Sequence, residues 1–291
     1  MSTEAAAHPV LDRLLQLGET GVPVLRATVV ELSRLEGVQD RISSNDLANA
    51  VLRDPLMTLR VLCYLYRHRT RSQTQDITTI AHALLMLGMA RFFREFSGLT
   101  VVEDCLATAP DAVTAARAAA SRARLASLFA RDWAVRRHDM DPEQVMVAAL
   151  VHDVVELLLL CEWPDAAPQF SLAEQSELRA ALFARLGLPG LLSELTLDAD
   201  GAHPRVLNVS LACSLARRCA QGWNDPAIED ELARVQRFLH ISPLEVWERI
   251  RKVVLLSARE WQFYQTRPAA AYLPMQAPLR APVDPSNRRM G

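Results

Sequence analysis

Residues 148–159 read AALVHDVVELLL, and the reading of this stretch decides the fold. His152 and Asp153 stand side by side in an otherwise apolar run, and Glu156 follows one turn after His152. A buried charge costs several kcal/mol, roughly, unless it is paired or bound to a metal. On a helix the two side chains point about 100° apart, so they can flank one ion. A catalytic metal takes at least about three protein ligands and keeps a position open for water, so further ligands would have to come from other helices.

Outward from the doublet the chain reads as helical nearly throughout. Ala, Leu, Arg and Glu dominate, glycine is scarce, and alternating strand-like runs are nearly absent. Short amphipathic helices are predicted over 11–18 and 24–37, the second ending at Gly37 as a cap. In ISSNDLANAVLRDPLMTLRVLCYLYRHR (42–69), Ser43 or Ser44 caps one helix and Asp54 caps the next. Pro55 then takes the first helical position, where its missing N–H loses no bond. ITTIAHALLMLG (77–88) starts near Thr78 or Thr79 and stops at Gly88, and MARFFREFSGL continues as a short helix. After a break around Pro110, residues 112–137 form a long helix whose alanines let a neighbour approach closely. Asp141, Pro142 and Glu143 open the helix that carries the doublet and ends near Pro164. Further helices are predicted over 172–187, 204–221, 228–239 and 243–265. Residues 267–291 hold five prolines and read as an extended or disordered tail.

Composition narrows the function classes. A chain of 291 residues, half hydrophobic and 23% charged, fits one large globular domain or two smaller ones. The net charge of -2 gives no global field toward nucleic acid or an anionic membrane. Lys252 is the single lysine, which leaves little material for Schiff-base chemistry. Cys63, Cys105, Cys161, Cys213 and Cys219 form no CxxC pair, and the first four lie in apolar, helix-like runs. They read as small hydrophobes rather than as a disulfide framework or zinc ribbon. MSTEAAAHPV lacks the basic start and apolar core of a signal peptide, and no stretch of uncharged apolar residues about 20 long reads as a membrane span. The expected compartment is a reducing cytoplasm. Glycine-rich phosphate loops, a Gly-x-Ser-x-Gly elbow and Cys-His signatures are not found.

A doublet of this kind on a buried helix resembles the HD phosphohydrolase superfamily. Those enzymes carry His, then His-Asp, then a distant Asp on an α-helical bundle, and hydrolyse phosphate esters with bound divalent metal. LANAVLRDPLMTLRVL (47–62) is similar to the motif "LA..I..DP.L...LL", and ITTIAHALLMLGMARF (77–92) to "I.S...A...LG...". With AALVHDVVELLL, these resemble an HDOD domain, the HD-related output domain of bacterial signalling proteins, over roughly residues 20–225. The resemblance implies an all-α fold of two packed helical bundles. Residues 1–110 would form the N-terminal HDOD bundle, 111–266 a degenerate HD-like bundle, and 267–291 the tail. Asp54, Pro55 and Gly88 are the helix-capping residues of the family motif.

Carried over residue by residue, the HD ligand set is broken. The upstream histidine falls on Ala120 beside Ser121, and the distant aspartate on Cys213. Val155 and Glu156 stand where Gly-Lys commonly follows the doublet, and His203 falls where related families have a downstream histidine pair. Three readings compete. In the first the doublet holds the fold, with Asp153 paired to an arginine such as Arg122 or Arg124. In the second, His152, Asp153, His203 and Glu156 form a divergent metal site. In the third they line a ligand pocket without hydrolysis. The resemblance favours the first, since such domains generally lack the full ligand set. It implies a regulatory module with no catalytic residue, cofactor or metal, acting through protein partners in cyclic di-nucleotide or two-component signalling. Membrane and nucleic acid are not expected partners, and a nucleotide ligand stays open. The alternative is a metal-dependent phosphohydrolase.

Other features have two readings each. Arg67, His68, Arg69 and Arg71 form either a solvated helix end or a contact for phosphate or an acidic partner. FFREF (92–96) is core on one side or an aromatic patch. In 241–265, Leu244, Val246, Trp247, Ile250, Val253, Val254, Trp261 and Phe263 read as core or interface. His82 and His240 read as packed polar residues, and His8 and His138 as surface.

Overall fold

The computed structural model describes residues 9–68, 79–197 and 203–274. Among these residues the chain is α-helical, with short 3-10 turns and one isolated β-bridge between Val24 and Val101. The first part comprises α1 (Pro9–Thr20), α2 (Arg26–Glu36), α3 (Ser44–Val51), α4 (Pro55–Arg67), α5 (Ile80–Leu87), α6 (Met89–Glu95) and α7 (Val102–Cys105). Then come the long α8 (Pro110–Arg136), α9 (Pro142–Val151), α10 (Val154–Glu162), α11 (Leu172–Arg185) and α12 (Gly190–Leu195). The last are α13 (Pro204–Gln221), α14 (Ala227–Leu239), α15 (Pro243–Ala258) and α16 (Trp261–Tyr264).

Helix α8 is the axis of the molecule. Ala112, Ala116, Ala119, Ala123, Ala126 and Ala130 recur at three- and four-residue steps and are all buried. That stripe lets α9 and α13 lie close along it, while α10, α15 and α16 pack on its other sides. Trp133 and Phe129 fill the wider end of the same core. One contiguous apolar cluster runs from Leu14 to Ala270. Burying each large side chain in it is worth about 1.5–3 kcal/mol.

Local chemistry sets the helix starts of the N-terminal part. Ser43 and Asp46 form a reciprocal capping box at α3. Asp54 does more than cap α4. Its Oδ1 accepts from Leu56 N at 2.9 Å and Met57 N at 3.2 Å, at the start of α4. Its Oδ2 accepts from Leu25 N at 2.8 Å and Thr28 Oγ1 at 2.6 Å, at the start of α2. One fully buried carboxylate thus joins two helix N-termini. Burial raises its pKa above the ordinary value, against four hydrogen bonds that each favour the ionised form. Gly88 closes α5 and opens α6 at φ 80 and ψ 143, a region that side chains with a Cβ avoid.

Several expectations are corrected. The helix carrying the doublet is two helices, because α9 ends at Val151 and α10 begins at Val154. Asp141 makes no cap bond; instead Glu143 reaches α5 and accepts from Ile80 N at 2.7 Å. The expected end of α2 at Gly37 holds, with the glycine in the right-handed helical region. α12 was not foreseen, and 243–265 divides into α15 and α16, with Leu244 and Trp261 exposed. His82 and His240 are exposed rather than packed, and Cys105 is exposed at the end of α7. The core reading of FFREF holds: its three phenylalanines are buried, and Phe92 contacts both Phe93 and Phe96. The run Pro142–Glu162 is long and apolar enough to cross a membrane by length and composition, yet 83% of its most apolar window is buried inside the fold. His8, Arg69, Arg71 and most of the tail lie outside the described residues.

Candidate functional site

Helices α9 and α13 run side by side in the same direction, and three contacts set their register. Arg205 Nε donates to Asp139 Oδ2 at 2.9 Å, just before α9. Cys213 Sγ lies 3.7 Å from the Ala149 carbonyl, and Arg217 reaches Asp153. This register brings the second half of α13, and not its start, to the doublet.

At the doublet the helix is interrupted: His152 keeps helical backbone angles, Asp153 at φ -96 and ψ 20 departs from them, and both side chains turn inward. His152 is 1% exposed and Asp153 9%. His152 Nδ1 and Asp153 Oδ1 are 2.7 Å apart. Arg217 grips the carboxylate with two bonds, Nη2 to Oδ1 at 2.6 Å and Nε to Oδ2 at 3.2 Å, and its Nη2 is 3.3 Å from His152 Nδ1. A bidentate guanidinium–carboxylate pair is the strong form of this contact. Arg122 on α8 lies 3.9 Å from Asp153 Oδ2 and pairs with Glu156 one turn into α10. Burial opposes ionisation of Asp153, but the charge of Arg217 and the bonds from His152 and Arg217 outweigh it. Its carboxyl is held well below the usual range.

A third arginine secures the break between the helices. Arg179 on α11 is buried and donates from Nη1 to the His152 carbonyl at 3.0 Å. Its Nη2 donates to the Thr196 carbonyl at 2.6 Å, where α12 ends. It therefore satisfies backbone acceptors that the helix ends leave open. Beside it, a cavity of about 400 Å³ is lined by Asp153, Leu172, Gln175, Ser176, Arg179 and Arg217.

The structure brings together His152, Asp153 and Glu156, with Ala120 buried on α8 and Cys213 buried on α13. It does not bring His203. That residue caps α13, its Nδ1 accepting from Arg205 N at 3.3 Å. It lies ten residues before Cys213, about 15 Å along the axis. Arg124 is not the partner of Asp153 either. It pairs with Glu260 at 3.0 and 3.1 Å and donates to the Leu52 carbonyl. Arg67 is tethered by a 2.7 Å bond from Nη2 to the Gly18 carbonyl, which joins α4 to α1. Arg217 and Arg179 were missed in the sequence. The signal for Arg217 was its position one turn after Cys213 in NVSLACSLARRCA.

These residues do not fit a divalent metal. Among the described residues no group of three His, Cys, Asp or Glu side chains could hold one. The Asp153 oxygens face guanidinium, Ala120 offers no donor, and Cys213 faces a carbonyl. Burial raises the Cys63 thiol to about 11 and pushes Cys161 and Cys219 higher still, away from the thiolate that binds metals. Arg122, Arg179 and Arg217 supply the positive charge at this place.

An all-α fold with a buried His-Asp doublet closed by arginines is the setting of the family match. The HDOD domain family model matches residues 22–186. This is more than half of the chain, and the protein belongs to the HDOD domain family. None of the curated proteins matches it. Among solved structures, the crystal structure of the MmoQ response regulator from Methylococcus capsulatus str. Bath is similar in fold, with a TM-score of 0.56 and 16% identity. That match covers 75% of this chain and 98% of the other.

Proposed function

We propose that this protein is a non-catalytic regulatory module that works in the cytoplasm by contact with signalling proteins. The observation that carries the reading is the bidentate Arg217–Asp153 pair, which occupies the carboxylate an HD hydrolase would offer to metal. A carboxylate gripped this way is a poor ligand, because a metal would have to displace a half-buried cation bonded to it twice. A connection to two-component signalling draws on the MmoQ likeness, which is one of fold.

The test is direct. Protein purified without chelator is analysed for bound transition metal. It is then assayed with manganese or magnesium against bis-p-nitrophenyl phosphate, cyclic di-GMP and ppGpp. Substoichiometric metal and no turnover are expected. One metal per chain that disappears in His152→Ala, with hydrolysis that disappears alongside it, would establish the phosphohydrolase reading instead. The cavity beside Asp153 favours one further reading, a nucleotide sensor without turnover. A thermal shift with any of these nucleotides that is lost in Arg217→Met would establish it.

A further inference from the structure

Residues beyond the family match combine with the end of α8 to build a groove. It lies between the C-terminal end of α8 with the turn that follows it, the start of α13, and α14. Two cavities of about 420 and 360 Å³ adjoin here and share Arg137, Pro204 and Phe238 as walls. The floor is apolar, formed by Leu207, Leu211 and Phe238. The rim carries Arg137, Arg205, Arg234 and Arg237. Arg137 donates from Nη1 to the Phe238 carbonyl at 2.5 Å, and its guanidinium lies 4.6 Å from the centre of the Phe238 ring. That fixes a cation at the junction of the two cavities.

The charges do not cancel. Arg205 is paired with Asp139 at 2.9 Å, and Arg234 faces Glu231 at 3.4 Å. Among the described residues neither Arg137 nor Arg237 has a carboxylate partner, and Asp141 is the remaining acid on the wall. His138, His203 and His240 line the same surface. The groove is thus locally basic in a chain of net charge -2.

We propose that this groove docks an acidic, amphipathic segment of a protein partner. Apolar side chains of that segment would cover Pro204 and Leu207, beneath which Leu211 and Phe238 are buried, and its carboxylates would meet Arg137 and Arg237. The inference rests on the protein-contact reading above and adds the place and the chemistry of the contact. An apolar floor running under separated cations suits a peptide with alternating carboxylates and hydrophobes better than a compact phosphate. Exposed ion pairs contribute only about 0–1 kcal/mol each, so apolar contact with Pro204 and Leu207 adds to the affinity while the arginines select the partner's sign.

A phage-displayed library of random peptides tests this on the full chain. Selection is run on the wild type and against an Arg137→Glu/Arg237→Glu double variant. Peptides that depend on the two arginines are expected to be rich in Asp and Glu interleaved with Leu or Phe. A synthetic copy should bind with an affinity that Arg237→Glu lowers about tenfold in fluorescence anisotropy, and that salt also weakens. Arg237 is exposed and unpaired, so thermal melting of that variant should match the wild type. Arginine-dependent peptides that are basic or neutral would overturn the proposal. So would a selection in which nothing depends on the arginines, or displacement of the peptide by inorganic phosphate. Metal content and hydrolysis report on the doublet alone, so a hydrolase that still binds acidic peptides would separate the two failures.

Discussion

Asp54 and Asp153 are both buried carboxylates at helix starts, and they are held by different means. Asp54 sits among backbone N–H groups and one hydroxyl at the starts of α2 and α4. Asp153 makes no capping bond to α10 and lies against a guanidinium and an imidazole. Partial charges from helix ends leave burial ahead at Asp54, whereas a full positive charge wins at Asp153. The first arrangement ties chain neighbours into a motif. The second joins helices 64 residues apart in sequence.

The largest effect that could break this contrast is expected at the motif. Asp54→Ala should cost about 4 kcal/mol in urea unfolding, since it removes two caps and strands buried donors. A loss near 1 kcal/mol, roughly that of a single exposed cap, would mean the link between α2 and α4 is energetically idle. Arg217→Met should cost about 3 kcal/mol at neutral pH by leaving Asp153 buried without its main counter-ion. If the variant is as stable as the wild type, the pair does not hold the two helices. Gly88→Ala should cost about 2 kcal/mol from backbone strain alone, because no atom lies near the added Cβ. A neutral result would show that the α5–α6 junction adapts.

The smallest effect is the most discriminating, because the two aspartates should respond to acid with opposite signs. The folded pKa of Asp153 is depressed, so its contribution is present above the unfolded value of about 3.9 and is lost as pH falls through the folded value. The stability cost of Asp153→Asn should therefore shrink in acid. The folded pKa of Asp54 is raised, so the wild type gains stability as pH falls through that value. The cost of Asp54→Asn should grow. Urea melts at neutral and acid pH check both, and matching trends would refute the contrast.

Legibility in the sequence follows the same division. The Asp-Pro start of α4, the Ser43 cap and the Gly88 stop were readable because cap chemistry is local and fixed by residue type. The helical class was readable from composition, and the long helix was placed within two residues at its start and one at its end. The second contact of Asp54, to Leu25 and Thr28, was not readable, since it depends on where α2 arrives. Arg122 was foreseen beside Asp153, but Arg217 was not, because a long side chain selects its partner after the helices have packed. The break at the doublet was hidden for a related reason. His152 and Asp153 carry no proline or glycine to mark it, and the Arg179 that satisfies the open carbonyl comes from α11.

Because the cation beside Asp153 is part of the polypeptide, no chelator can strip it and no competing ion can replace it. The fold around the doublet should therefore be indifferent to how much manganese or iron a cell has taken up. Its cohesion is inherited with the gene, whereas a site closed by a metal must acquire its charge from the medium.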